Sequence, residues 1–128
     1  MPQIDVSVKM LGPFFRLGSV PVVRALSAAV RETVEEGEHR VGLQLYPGHG
    51  FITGHYKRSV HGEMTSSLHG RVHDSRVIYG PWLETGRRRG QATRFRGYAQ
   101  FRNAAQQLER IKKAILRKHI DRAMKDLA

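Results

Sequence analysis

The chain contains no cysteine. This absence excludes a disulfide framework, a thiolate zinc site and a cysteine nucleophile, and it makes the fold indifferent to its redox compartment. Long apolar runs are missing too, because stretches such as Val20 to Val23 fall far below the roughly 20 residues that a membrane span requires. The N-terminus lacks the apolar centre of a signal peptide. We therefore expect synthesis in a cytoplasm and no membrane partner.

Acidic residues are also scarce, with 11 Asp and Glu against 22 Lys and Arg, for a formal net charge of +11. Such an excess predicts a surface that attracts polyanions, with nucleic acid first and anionic lipid or an acidic protein second. The chain has 128 residues, of which 40% are hydrophobic. This length is enough for one modest hydrophobic core and too short for two, and the composition is close to that of globular proteins. We expect a single domain over residues 1–128.

Hydrophobic periodicity divides the chain into two long helices and a small sheet. Residues 4–10 alternate between apolar and polar, which is typical of a half-buried strand. A helical pattern follows Ser19, whose hydroxyl suits an N-cap, and Gly37 predicts a kink or an early end of that helix. We expect two or three short strands between residues 56 and 78 and a last helix over 99–127. This order predicts an α+β fold, with long N-terminal and C-terminal helices packed on a small antiparallel sheet.

The positions expected to face the core follow from the same spacing. In the first helix they are Val22, Val23, Leu26, Val30, Val34, Val41 and Leu45. In the sheet they are Val60, Met64, Leu68, Val72 and Ile78, with a turn at 65–67. In the last helix they are Phe101, Ala104, Leu108, Ile111, Ile115, Ile120, Ala123 and Leu127.

The sequence contains no recognisable catalytic or metal-binding motif. Its seven histidines lack metal-ligand spacing, and His69 and His73 would lie about 13 Å apart on a strand. The glycine-rich residues 48–54 fit neither the P-loop nor the dinucleotide-binding spacing, so a loop around 47–50 is the better interpretation. No serine lies in a nucleophile elbow. We expect no catalytic residue, no metal, no cofactor and no enzymatic activity.

The segment 87–98 is the most distinctive part of the chain, and we expect it to be an extended basic loop. Its arginines can neutralise phosphates while its aromatic residues stack on bases. Alternatively, the loop orders against a neighbouring subunit, and its arginines pair with an acidic patch such as Glu32 to Glu38. The two roles can coexist. The arginines are Arg87, Arg88, Arg89, Arg94 and Arg96.

Residues 79–84 hold the only tryptophan, beside a tyrosine and a leucine. Such a segment is either a plug in the core or an anchor at an interface, where Trp and Tyr dominate the binding energy. The candidate interface anchors here and in the basic loop are Tyr79, Trp82, Leu83, Phe95 and Tyr98.

Three short motifs resemble those of a known family. They are Thr-Gly-His-Tyr-Lys-Arg-Ser at 53–59, Tyr-Gly-Pro-Trp-Leu-Glu-Thr-Gly at 79–86 and Phe-Arg-Asn-Ala at 101–104. In this order they are similar to the small neck or tail-completion proteins, the head–tail connectors of long-tailed double-stranded-DNA phages, called gene-product-ten-like in lambdoid phages. The matching residues are Thr53, Gly54, Ser59, Tyr79, Glu84, Gly86, Phe101, Arg102 and Ala104.

The resemblance implies a structural virion protein without catalytic activity. It implies a homo-oligomeric ring, expected to be a hexamer, that joins the connector or head-closure protein to the tail terminator or tail tube protein. Double-stranded DNA would pass through this ring with non-specific contacts only. Assembly would occur in the bacterial host cytoplasm, and the final location would be the neck of the virion. The alternative function is a free-standing basic nucleic-acid-binding protein.

Overall fold

The structure is a computed structural model that describes residues 2–9, 20–45, 56–77, 79–88, 91–92 and 97–127. Its helices are α1 (Val20–Leu43), α2 (Gly80–Thr85) and α3 (Gln100–Leu127). Its strands are β1 (Gln3–Ser7), β2 (His61–Ser66), β3 (His69–His73), β4 (Arg87–Arg88) and β5 (Gln91–Ala92). The predicted fold class is confirmed, because two long helices pack on a small antiparallel sheet.

Strand β3 is the centre of a three-stranded antiparallel sheet with the order β1-β3-β2. Val72 of β3 lies opposite Ile4 of β1 and Gly62 of β2. Ile4 and Val72 are buried while Asp5 is exposed, as period-two alternation requires. The strand predicted at 4–10 is therefore confirmed over Gln3–Ser7.

Glycines in the sheet let α1 approach it closely. A Cβ atom on Gly62 or on Gly70 would come within 2.6 Å of a methyl carbon of Val34. Only residues without a side chain fit at these two positions while Val34 keeps its buried place. The side chain of Val34 in α1 thus packs directly on the backbone of β2 and β3.

The expected early end of the first helix at Gly37 is wrong, because α1 continues to Leu43. A Cβ atom at Gly37 would lie 3.0 Å from Cγ2 of Val72 and 3.1 Å from Cδ1 of Leu108. Gly37 therefore allows α1 to contact both β3 and α3 closely. The packing outweighs the roughly 1 kcal/mol of helix propensity that glycine loses relative to alanine.

The two long helices run antiparallel to each other. The guanidinium of Arg40 donates to the side chain of Gln107 at 3.0 Å. Nearer the N-terminus of α1, Glu32 accepts a hydrogen bond from the ammonium of Lys118, which lies nearer the C-terminus of α3. The apolar positions predicted for both helices are buried or half-buried wherever the structure describes their side chains, which excludes Leu127. The buried ones on α3 are Phe101, Ala104, Leu108, Ile115 and Ala123.

The structure differs from the prediction in two details of the region 56–78. Residues 56–59 form a helical turn, which places the ring of Tyr56 in the core, 0% exposed. The turn between β2 and β3 lies at residues 67–68, because an irregularity between Met64 and Ser66 lengthens β2. Val60 and Val72 are buried as expected, whereas Ile78 lies outside the described residues.

The expected loop at 87–98 contains regular structure. Strands β4 and β5 pair antiparallel, with Arg87 opposite Ala92 and Arg88 opposite Gln91. We call this element the arginine hairpin. The polar composition suggested a loop, yet backbone pairing over four residues needs no apolar side chain. The candidate N-cap Ser19 and the glycine-rich residues 48–54 lie outside the described residues.

Candidate functional site

A buried polar cluster joins three separate segments of the chain, and we call it the polar anchor. It consists of Tyr56, Asp74 and Gln100, each 0% exposed. The hydroxyl of Tyr56 donates to Oδ2 of Asp74 at 2.8 Å and lies 3.2 Å from the side-chain amide of Gln100. Burial raises the pKa of Tyr56 above its ordinary range, so its hydroxyl remains a hydrogen-bond donor. The cluster lies away from solvent and serves the fold.

Two more contacts close the polar anchor. The backbone nitrogen of Arg76 donates to Oδ1 of Asp74 at 3.1 Å, so both carboxylate oxygens have donors. The amide of Gln100 is best oriented with its nitrogen 3.2 Å from Oε2 of Glu84 and 3.1 Å from the carbonyl of Leu83. The opposite orientation would set the amide oxygen against two acceptors. The anchor therefore reaches α2 as well.

The carboxylate of Glu84 caps α3 from outside the helix. Its Oε2 and Oε1 accept hydrogen bonds from the backbone nitrogens of Phe101 and Arg102, at 2.9 and 3.0 Å. The first turn of α3 contains no acidic residue of its own. Glu84 satisfies two amides that the start of every helix leaves without a partner, and its charge suits the positive end of the helix dipole.

The residues that flank the segment 87–98 at both ends are fixed to α2. On the outgoing side, Gly86 has φ 72° and its nitrogen donates to the carbonyl of Trp82 at 2.7 Å, which ends α2. On the returning side, the nitrogens of Tyr98 and Ala99 donate to the carbonyls of Leu83 and Glu84, at 2.7 and 3.0 Å. The hairpin thus leaves the fold from a well-ordered base.

Of the candidate arginines, Arg87 is exposed on β4. Arg88 lies beside it in the strand, and its side chain is outside what the structure describes. Arg89, Arg94, Phe95 and Arg96 lie outside the described residues altogether, so their predicted roles stay predictions.

The candidate aromatic anchors divide into two groups. Leu83 is 2% exposed and belongs to the core. Its predicted role as an interface anchor is therefore corrected, because its side chain contacts other core residues of the same chain. Tyr79, Trp82 and Tyr98 are half-buried and pack against the core with one side. The ring of Tyr79 lies 6.1 Å from that of Tyr56 and supports the polar anchor.

Most residues of the resemblance surround this anchor. The carbonyl of Ser59 accepts a hydrogen bond from the hydroxyl of Ser75 at 2.7 Å, beside the segment that holds Asp74. Phe101 and Ala104 are buried in the core, and Arg102 is exposed. Thr53 and Gly54 lie outside the described residues. The motifs therefore mark the place where α2, α3 and the base of the hairpin meet.

A second basic feature lies along α3, opposite its buried face, and we call it the outer stripe. Its residues are exposed and recur over about 22 Å of helix. No carboxylate among the described residues lies within ion-pair distance of them, whereas Lys112 and Lys118 pair with Glu109 and Glu32. The hydrogen bond from Lys118 lowers the pKa of Glu32. The stripe consists of Arg102, Arg110, Lys113 and Arg117.

Three of the seven histidines, His61, His69 and His73, lie on the sheet. His69 and His73 lie at the two ends of β3, as the strand prediction required. His73 has its Nε2 3.3 Å from Oε1 of Glu63, whose pKa is lowered mainly by the hydrogen bond from Arg71. Over the described residues, no three His, Asp or Glu side chains form a group that could hold a metal ion.

No helix in the described parts of the chain has the length and apolarity needed to cross a membrane. Compared with family models, with curated proteins and with solved structures, the chain matches none.

The sequence did not point to the three residues of the polar anchor. Asp74 follows a strand and precedes Ser75, which is the ordinary pattern of an exposed turn. Gln100 opens a helix without any neighbour that suggests burial. Only the 0% exposure of these side chains separates them from surface residues, and a single sequence does not carry that information.

Proposed function

We propose that the chain is a structural subunit of the neck of a long-tailed double-stranded-DNA phage. In this role it is a tail-completion or head–tail joining subunit that repeats in a ring around the DNA channel. Its neighbours are the connector or head-closure protein on one side and the tail terminator or tail tube protein on the other. The subunit acts by shape and charge and has no catalytic residue.

The observation that carries the proposal is the separation of charge within the chain. The segment 87–98 has five arginines and no acidic residue, and α3 has eight Lys and Arg against three Asp and Glu. Together they account for +10 of the net charge of +11, so the remaining residues are nearly neutral. A subunit that faces a polyanion on one side and protein on the others requires this kind of distribution.

The rigid base of the arginine hairpin supports the same role. The hydrogen bonds of Gly86, Tyr98 and Ala99 to α2 place Arg87, the first arginine of the hairpin, at the same point of the fold in every copy. Glu84 fixes α2 to α3, so the hairpin and the outer stripe keep one relative position. In a ring, the outer stripe of every copy supplies regularly spaced cations to a threaded duplex, which contact phosphates and read no bases.

The second candidate function is a free-standing nucleic-acid-binding protein, and the outer stripe favours it. Four exposed cations on one helix face, with no carboxylate within ion-pair distance of their side chains among the described residues, suit a phosphate backbone whether or not the protein forms a ring. The two functions differ in where the protein is found. A neck subunit remains in the finished particle, and a free-standing binder stays in the cell.

Deletion of the gene from the phage genome that encodes the chain tests the proposal. We expect electron microscopy to show DNA-filled heads and finished tails that are not joined, with infectivity restored by the intact gene supplied from a plasmid. Joined, infectious particles from the deletion strain would contradict the neck role. A defect in DNA replication with no particles at all would favour the second candidate.

A further inference from the structure

One side of α1 carries an exposed acidic and apolar depression, which we call the socket. It is a cavity of about 390 Å³ between α1 and the segment that precedes β2. Glu35, Glu38 and Gly42 follow each other at helical spacing along it, with Leu43 at its end and Lys57 opposite. The socket lies entirely within the described residues.

The chemistry of the socket combines two carboxylates with an apolar surface. Leu43 is 57% exposed and is one of two large hydrophobic side chains that are exposed among the described residues. Glu38 is held in place because its Oε2 accepts a hydrogen bond from the backbone nitrogen of Gly62 at 2.9 Å. Glu35 is exposed and has no cation within ion-pair distance among the described residues.

One cation of the chain itself also lines the socket. A Cβ atom on Gly42 would come within 3.2 Å of Cε of Lys57, so the stem of this lysine lies against the helix. Its single charge leaves the two carboxylates in excess. The ligand that suits the socket is therefore basic, with an aliphatic or planar part that covers Leu43. Arginine has both properties, because its guanidinium binds carboxylates in a bidentate manner and its stem is apolar.

We propose that the socket receives the arginine hairpin of a second copy of this chain. Charge complementarity carries the choice of occupant, since the hairpin at 87–92 has three arginines, the whole segment 87–98 has five, and neither contains an acidic residue. This inference rests on the proposed function, because it names the surface through which one subunit of the ring contacts the next.

The socket and the hairpin lie on different sides of the molecule. Glu35, Glu38 and Gly42 lie on the side of α1 near β2, whereas Arg40 and Gln44 contact α3 through Gln107 and Asn103. The hairpin leaves the fold at the start of α3, next to Tyr98, on that other side of α1.

A contact between two different surfaces of identical subunits is heterologous. Each copy then offers one hairpin and one free socket, so copies keep adding, and the assembly closes into a ring where the rotation between neighbours allows closure, as the proposed function requires. An isologous contact, in which both copies use the same surface, would stop at a dimer. The socket therefore accounts for a ring without requiring any further interface.

Two variants test the proposal with the full-length protein. The socket variant is E35Q/E38Q, which removes both charges and keeps the size of the side chains. The hairpin variant is R87Q/R88Q/R89Q. A matched control, K112Q/K113Q, removes cations from α3 without touching either surface. Sedimentation velocity and native mass spectrometry at low and at high salt measure the assembly of each protein and of their mixtures.

We expect the wild type and the control to form closed oligomers that weaken as salt rises. Each of the two variants alone should associate at least about tenfold more weakly. Mixed together they should give dimers and stop there, because one intact hairpin meets one intact socket and no second contact remains. Dimers from the mixture would establish a heterologous contact.

Three results would overturn the inference. They are a wild type that stays monomeric, a socket variant that assembles like the wild type, and a mixture that behaves like the two variants apart. None of these results contradicts the proposed function, which depends on the presence of the chain in the particle. Conversely, assembly through the socket by a chain that is absent from particles would refute the neck role alone.

Discussion

The carboxylate of Glu84 accepts a hydrogen bond from the backbone nitrogen of Phe101 at 2.9 Å, although 17 positions separate the two residues in the chain. The segment between the two residues, which includes the arginine hairpin, therefore begins and ends at the same place in the fold. The cap at the start of α3 is at the same time the base of the hairpin. A single side chain, Glu84, thus couples the stability of α3 to the position of the residues from which the hairpin begins.

The first prediction concerns this cap. Glu84→Ala should lower the free energy of unfolding by about 1–2 kcal/mol, because two amides at the start of α3 lose their acceptor. Glu84→Gln keeps one acceptor oxygen and should cost about half as much. Urea unfolding followed by circular dichroism measures both. Glu109→Ala is the control, since Lys112 is the one ion-pair partner of Glu109 among the described residues and both are exposed on α3; equal losses for Glu84 and Glu109 would refute the cap.

The second prediction concerns Tyr56 and pH. Tyr56→Phe leaves the buried Oδ2 of Asp74 without its donor and should cost about 1–3 kcal/mol at pH 8. In the wild type, burial raises the pKa of the phenol, whereas in the unfolded chain it ionises near pH 10. The unfolded state then binds fewer protons above pH 10, so the stability contributed by Tyr56 falls as pH rises.

Urea unfolding at pH 8 and at pH 11 tests this linkage. The gap in stability between the wild type and Tyr56→Phe should narrow at pH 11, because the variant has no phenol to titrate at this position. The other tyrosines are common to both proteins and cancel in the comparison. A gap that stays constant over this range would mean that the hydroxyl is not buried in the folded protein.

The third prediction contrasts two glycines. Gly97 has φ 82°, and a Cβ atom there would lie 2.5 Å from the carbonyl oxygen of Glu84, at the base of the hairpin. Gly97→Ala should therefore destabilise the protein by about 1–3 kcal/mol. Gly42→Ala meets only the flexible end of Lys57 and gains helix propensity, so it should leave the melting temperature unchanged or raise it. Thermal unfolding measures both variants, and equal changes in melting temperature for Gly97→Ala and Gly42→Ala would contradict the prediction.

The fourth prediction concerns the outer stripe. R110Q/K113Q/R117Q should weaken binding to any duplex DNA and reduce the slope of log affinity against log salt by about 2 to 3, because each phosphate contact contributes about 0.9. Lys118→Gln is the control, since its ammonium is already paired with Glu32. Fluorescence anisotropy over a salt series measures the slopes. An unchanged slope in the triple variant would exclude the stripe as the DNA contact.

The two long helices could be predicted from the sequence because their apolar residues recur at helical spacing over more than 20 positions. Gly37 shows where this reasoning fails. Its low helix propensity indicated a break, but the space it leaves for Val72 and Leu108 is a tertiary property. At Gly37, packing between elements that are distant in the sequence outweighs the low helix propensity of glycine.

The candidate site was predicted only in part for a similar reason. The arginines, the aromatic segment and the motif residues stand out by composition, and Glu84 proves to connect them. The polar anchor could not be predicted, because its partners Tyr56, Asp74 and Gln100 are distant in the chain and each has a residue type that is common at the surface. A network between distant polar residues leaves no periodic signal.

The most direct test of the proposed neck role is quantitative mass spectrometry of purified, DNA-filled phage particles from cells that express this chain during phage production. The account predicts that the chain is present in a small constant number of copies per particle, as for a single ring, and in a fixed ratio to the connector protein. Particles that are complete and infectious but do not contain the chain would contradict it.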